Sequence, residues 1–170
     1  AGNIDYVKLT SEVIDDYAGK EDVVTSLTGY SWYLSLNFHN EALANNNIRK
    51  AIAYAINTDE LCTSVLKDGS TPLEGIVTKS TTANADGKDF RSISGTVVLG
   101  YDEAKAKEAF NAGCKELGVD SVTLEVLYED ADVSKNCAAY VMNALEKAGF
   151  TTEAKCEPKK SRLQDMQNDN

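Results

Sequence analysis

One histidine, two prolines and no apolar run near the length of a bilayer span are found in these 170 residues, and each scarcity closes off a class of function. A spanning helix needs about 20 consecutive apolar residues, so the sequence carries no span of its own. Basic side chains are also few: 17 Lys and Arg stand against 27 acidic residues, a net charge of -10. That charge repels phosphate backbones and anionic lipid, which argues against a nucleic-acid partner. The single histidine, His39, lies in a polar His-Asn-Glu loop without a nucleophile elbow or an HExxH motif. A serine or cysteine nucleophile therefore has no recognisable base, and no catalytic residue is assigned.

Metal and phosphate sites are closed off in the same way. Cys62, Cys114, Cys137 and Cys156 form no CxxC pair, and with one histidine to join them a zinc site has too few ligands. Glu129, Asp130 and Asp132 lack the glycine and terminal glutamate of a calcium loop, and Asp132 reads instead as a helix cap. Gly87, Gly95 and Gly100 have no Gly-Lys-Ser/Thr sequel, so no phosphate loop is present. No cofactor follows from any motif.

What the chain does have is the composition of one ordinary domain, 42% hydrophobic and 26% charged, with length enough to bury roughly 70% of its unfolded surface. A short helix is expected from Thr10 to Ala18, closed by Gly19. Val23 to Asn37 is rich in Val, Thr, Trp, Tyr and Leu and reads as a strand bent at Gly29. Period two sets Trp32, Leu34 and Leu36 toward the core and Tyr33, Ser35 and Asn37 on the opposite face. The Asn45-Asn46-Asn47 cluster supplies N-cap chemistry for a helix with Ile48, Ala51, Ile52 and Ala55 as its buried stripe. Asn57-Thr58-Asp59 starts a second helix, abutting the first and ending at Asp68-Gly69.

From Ser70 to Gly100 the pattern dissolves into turns and short strands. Asp102 then caps a helix that Gly118 closes, and Val122 to Tyr128 alternates as a strand. A helix with Ala138, Val141, Met142 and Leu145 inward runs to Gly149. Thr151 to Glu157 forms another strand, Pro158 ends it, and Ser161 opens a last helix. A helical crossover between two strands demands parallel pairing, so the fold class is α/β. Cys62 and Cys137 fall on apolar helix faces and the thiols are expected buried and free; in an oxidising space a Cys137–Cys156 pair between helix and strand is the alternative.

Three segments carry a family resemblance: Ser31 to Asn37 with the IRKAIAYAINTDEL run from Ile48 to Leu61, Tyr101 to Gly113, and Leu124 to Tyr128 with the stretch on to Met166. In type and order they resemble the extracellular solute-binding proteins of oligopeptide, dipeptide and nickel ABC importers. The resemblance implies a type II periplasmic-binding-protein-like lobe, a mixed sheet flanked by helices. It further implies that residues 1–170 are part of one lobe of a two-lobed protein. The function it implies is capture of an oligopeptide outside the cell and delivery to ABC permease subunits, at the extracellular face of the membrane or in the periplasm. Any membrane attachment would be through an anchor outside this chain. Neither catalysis nor a cofactor has a part in it.

Position by position, the resemblance places Ser35 beside the ligand groove, with Tyr33 on the same face able to stack on a peptide side chain and Asn37 at the strand's end; Tyr33, Ser35, Asn37 and Ser134 are the expected ligand-binding residues. Ser134 matches a place where some members carry a basic group near the ligand's C-terminus, so carboxylate recognition is not carried over. Arg49 reads as an ion-pairing scaffold residue and Asn57 as a cap that has lost the family's charge. The acidic residue that clamps a peptide's amino group falls beyond Asn170. Within the family, nickel chelates or sugars are alternative ligands; outside it, the rivals are an unrecognised small α/β enzyme and a stand-alone interaction module.

Overall fold

The structure, a computed structural model, describes residues 3–168. Its body is built where capping and helical periodicity are strongest. Asn40 accepts from the amides of Ala42 and Leu43 to start α1 (Glu41–Ala44), and Asn45 does the same from Asn47 and Ile48 to start α2 (Asn46–Ala55). These side chains satisfy amides that a helix start leaves without partners. Ile48, Ala51, Ile52 and Ala55 are all buried, at the spacing expected of an inward stripe. Asn57 caps α3 (Thr58–Glu60), which passes into a π-helical segment, Leu61–Leu66, and stops at Lys67 with a left-handed φ of 52°.

Helix α5 (Glu103–Leu117) lies across α2. The approach is close because Gly113 faces Ile48: a Cβ there would stand 2.6 Å from Ile48 Cδ1. Asp102 caps α5 and Gly118 ends it in the left-handed region at φ 70°, where glycine carries no Cβ penalty. Strand β1 (Thr123–Glu129), helix α6 (Asp132–Ala148) and strand β2 (Thr151–Glu157) form a βαβ unit, with the strands parallel and in register from Thr123↔Thr151 to Glu129↔Glu157. α7 (Lys159–Gln167) follows Pro158. The core joins Ile48, Ile52, Phe110, Leu124, Val141, Leu145 and Phe150, with the Phe110 and Phe150 rings edge to face at 4.6 Å.

The α/β class therefore holds, with corrections in detail. Among the described residues the sheet has two parallel strands, and the expected mixed character is not seen in it. The expected strand from Val23 to Asn37 has no regular structure, because a strand is defined by a neighbour to bond and its backbone meets none. Its two faces do not separate either. Trp32 and Leu34, assigned to the core, are 71% and 47% exposed, and only Leu36 packs against the core. At the start of the chain one 3-10 turn, Ile14–Tyr17, replaces the longer helix. Ala131 rather than Asp132 occupies the N-cap of α6, and α7 begins two residues before Ser161. All four thiols are free, but Cys156 is exposed and Cys137 only half-buried, so burial holds for Cys62 and Cys114 alone.

Between the helices, residues 70–100 hold a single antiparallel bridge, Ala83↔Asp89, and a short helix α4 (Phe90–Ser94) that periodicity did not indicate. Arg91 organises this loop. Only 4% exposed, its guanidinium donates to the carbonyls of Val77 at 2.8 and 3.0 Å, Gly95 at 2.7 Å and Glu74 at 3.4 Å. Gly75 leaves room for it, since a Cβ there would lie 2.4 Å from Nη2.

Candidate ligand-contacting surface

The segment from Tyr30 to Phe38 has no regular structure and leaves its aromatic side chains exposed. Tyr30, Trp32 and Tyr33 are 82%, 71% and 73% exposed. Burial normally stabilises such rings by several times the thermal energy, so a run of three in solvent marks a surface suited to another molecule. Ser35 is exposed beside them. The segment is tied at both ends. Ser31 Oγ donates to the Ile76 carbonyl at 3.5 Å, linking it to the loop that Arg91 holds. At the other end the Arg49 guanidinium lies 4.7 Å from the Phe38 ring centroid and donates to the carbonyls of Leu43 and Ala44 at 3.0 and 2.7 Å.

Arg49 is thus a scaffold residue, as expected, but one that acts through carbonyls and an aromatic face; the expected ion pair is not its means. Its rigid fork suits several acceptors at once. Asn37 is half-buried and its Oδ1 accepts from the His39 amide at 2.9 Å. That turn ends the extended segment and delivers the chain to the Asn40 cap. Ser134 sits elsewhere, half-buried in the first turn of α6, between the exposed side chains of Val133 and Lys135. Tyr33 and Ser35 share one stretch of surface; Ser134 belongs to the βαβ unit.

Sequence reasoning missed a polar cleft of about 190 Å³ bordered by Asn57, Glu60, Tyr101, Tyr140 and Lys147. Tyr140 Oη lies 2.8 Å from Glu60 Oε2 and 3.0 Å from the Asn57 carbonyl. Burial, then the Glu60 hydrogen bond and charge, hold this phenol well above its ordinary value, so it stays a neutral donor. Periodicity held no signal for the cleft, since Tyr140 falls outside the Ala138, Val141, Met142 and Leu145 stripe of α6. Among the described residues no three His, Cys, Asp or Glu side chains gather as a metal-holding group, and no helix is long and apolar enough to cross a membrane. The geometry offers stacking and hydrogen bonding.

Comparison with known proteins identifies the family. The chain is 32% identical over 117 residues to a dipeptide-binding protein, DppE, of Bacillus subtilis (strain 168), a match covering 68% of this chain and 21% of that one. A dipeptide-binding protein of Lactococcus lactis subsp. cremoris (strain MG1363) is 33% identical over 133 residues, covering 76% of this chain and 24% of its own length. The structure of Listeria monocytogenes OppA bound to peptide superposes with a TM-score of 0.86 at 33% identity, over 94% of this chain and 33% of that protein. The chain thus spans about a third or less of these relatives, and their overall architecture confirms the type II binding-protein fold. With the family model for "bacterial extracellular solute-binding proteins, family 5 Middle" matching residues 1–170, the chain belongs to the family 5 bacterial extracellular solute-binding proteins.

Proposed function

We propose that residues 1–170 form part of one lobe of a two-lobed protein that captures oligopeptides outside the cell and hands them to the permease of an ABC importer. The observation that carries this reading is the exposed Tyr30, Trp32 and Tyr33 run on a segment anchored at both ends, in a chain that superposes on a peptide-bound relative. In this reading Tyr33 stacks on a peptide side chain and Ser35 hydrogen-bonds the peptide backbone. Asn37 fixes where the segment ends, and Ser134 lines the ligand's far side from the start of α6. Main-chain bonding to an extended peptide, with roomy pockets for varied side chains, gives affinity without narrow sequence preference. The reading contains no chemical step. The protein would work at the outer face of the membrane or in the periplasm.

Closure of two lobes around a ligand is a hinge motion in which each lobe supplies part of the site. The 170-residue chain should therefore show no saturable heat when titrated with a mixed pool of short peptides, while the native gene product should bind with saturation. Micromolar binding by the 170-residue chain would overturn the two-lobe reading, and a native gene product that ignores peptides would overturn peptide capture.

A further inference from the structure

Two of the four thiols lie on elements that pack against each other. The π-helical segment Leu61–Leu66 has Cys62 as its buried residue, 8% exposed, and this segment packs directly on α6. On α6, Cys137 is half-buried and lies one turn before Tyr140. Tyr140 in turn bonds to Glu60, two residues before Cys62, at 2.8 Å. The same interface that brings Tyr140 to Glu60 sets the segment carrying Cys62 against the helix carrying Cys137, and the charge of Cys137 is felt at Cys62. Cys114 is buried on α5 and Cys156 is exposed on β2, so neither shares this interface.

We infer that Cys62 and Cys137 are a redox pair, which low-molecular-weight disulfides convert to a cross-link between the π-helical segment and α6. The chemistry balances by thiol–disulfide exchange. The Cys137 thiolate, the more accessible, attacks one sulfur of the reagent and expels one reagent thiolate, leaving a mixed disulfide. The Cys62 thiolate then attacks Cys137 Sγ and expels the second. Two electrons pass from the pair to the reagent, and the two protons go to the departing thiolates, which leave as thiols. Burial and then Asp68 raise both thiols above their ordinary value, so the pair stays reduced unless an oxidant is supplied and the exchange is slow at neutral pH. The link would close a long loop spanning α4, α5 and β1, the geometry in which a disulfide restricts the unfolded chain most.

The test treats the Cys156→Ser chain, which lacks the exposed competitor, with oxidised glutathione at mildly alkaline pH and follows it by intact mass and peptide mapping. The expected result is loss of two hydrogens, one reducible cross-link joining the Cys62 and Cys137 peptides, and a Tm raised by about 10 °C. Adding Cys62→Ala or Cys137→Ser should abolish the cross-link while the far-UV circular dichroism stays that of the parent. The inference is overturned if glutathione stays on Cys137 with Cys62 free, if the cross-link involves Cys114, or if no oxidation occurs before the chain unfolds.

Discussion

Residues 3–38 and residues 41–157 contain similar kinds of side chain and meet opposite fates. In the body, Ile48, Ala51 and Ala106 are fully buried and the helices that carry them are capped. In the arm, Tyr6, Val24, Tyr30, Trp32 and Tyr33 are all more than 70% exposed. The difference is not hydrophobicity but partners. A helix satisfies its own backbone and needs only one apolar face covered, whereas an extended segment needs a neighbour for its backbone as well as for its side chains. Stability is thereby concentrated in the body, and the arm keeps its apolar side chains exposed.

Substitutions on either side sharpen that contrast. The largest loss is expected from Ile48→Ala, which opens a cavity between α2 and α5 at a residue with no exposure; urea unfolding should register about 2–5 kcal/mol. Asn45→Ala comes next, since it removes the acceptor for the Asn47 and Ile48 amides at 2.8 and 3.1 Å and the bond to Glu116 at 2.9 Å. A loss of about 1–2 kcal/mol is expected, with Asn45→Asp keeping the cap.

Tyr140→Phe should cost about 1 kcal/mol, the typical worth of one such hydrogen bond. Its signature is in the pH dependence. The folded-state phenol titrates above its ordinary value, so its contribution is intact below about pH 10, the ordinary tyrosine value, and fades as the pH rises above it. Wild type and Tyr140→Phe should converge in stability under alkaline titration, and parallel curves would remove Tyr140 from that role. The smallest effect belongs to the arm. Leu34→Ala should change the unfolding free energy by less than about 0.5 kcal/mol, as for other exposed positions, and a loss as large as that of Ile48→Ala would place the arm in the core.

How much of this could be read beforehand follows the same division. Where structure is set by short-range chemistry, residues sufficed: the Asn45 and Asn57 caps, the Ile48 to Ala55 stripe and the Thr151–Glu157 strand stand where periodicity put them. Parallel pairing followed from a helix placed between two strands. Alternation in Ser31 to Asn37 misled, because period two records a preference for pleated pairing and not the presence of a partner. Arg91 was invisible for a related reason. Nothing local in Phe90-Arg91-Ser92 says that two distant carbonyls, of Glu74 and Val77, converge with that of Gly95 on the guanidinium. Of the proposed ligand contacts, Tyr33 and Ser35 lie together on the exposed arm and Asn37 at its end, while Ser134 stands apart on α6.

The account turns on the arm as the surface that meets peptide, and a titration of the native gene product with a short peptide tests it most directly, comparing wild type with Tyr33→Ala. Loss of one stacked ring should weaken binding by about tenfold, equivalent to roughly 1.4 kcal/mol, with the unfolding midpoint unchanged. Saturable peptide binding of wild-type strength in the Tyr33→Ala protein would contradict it.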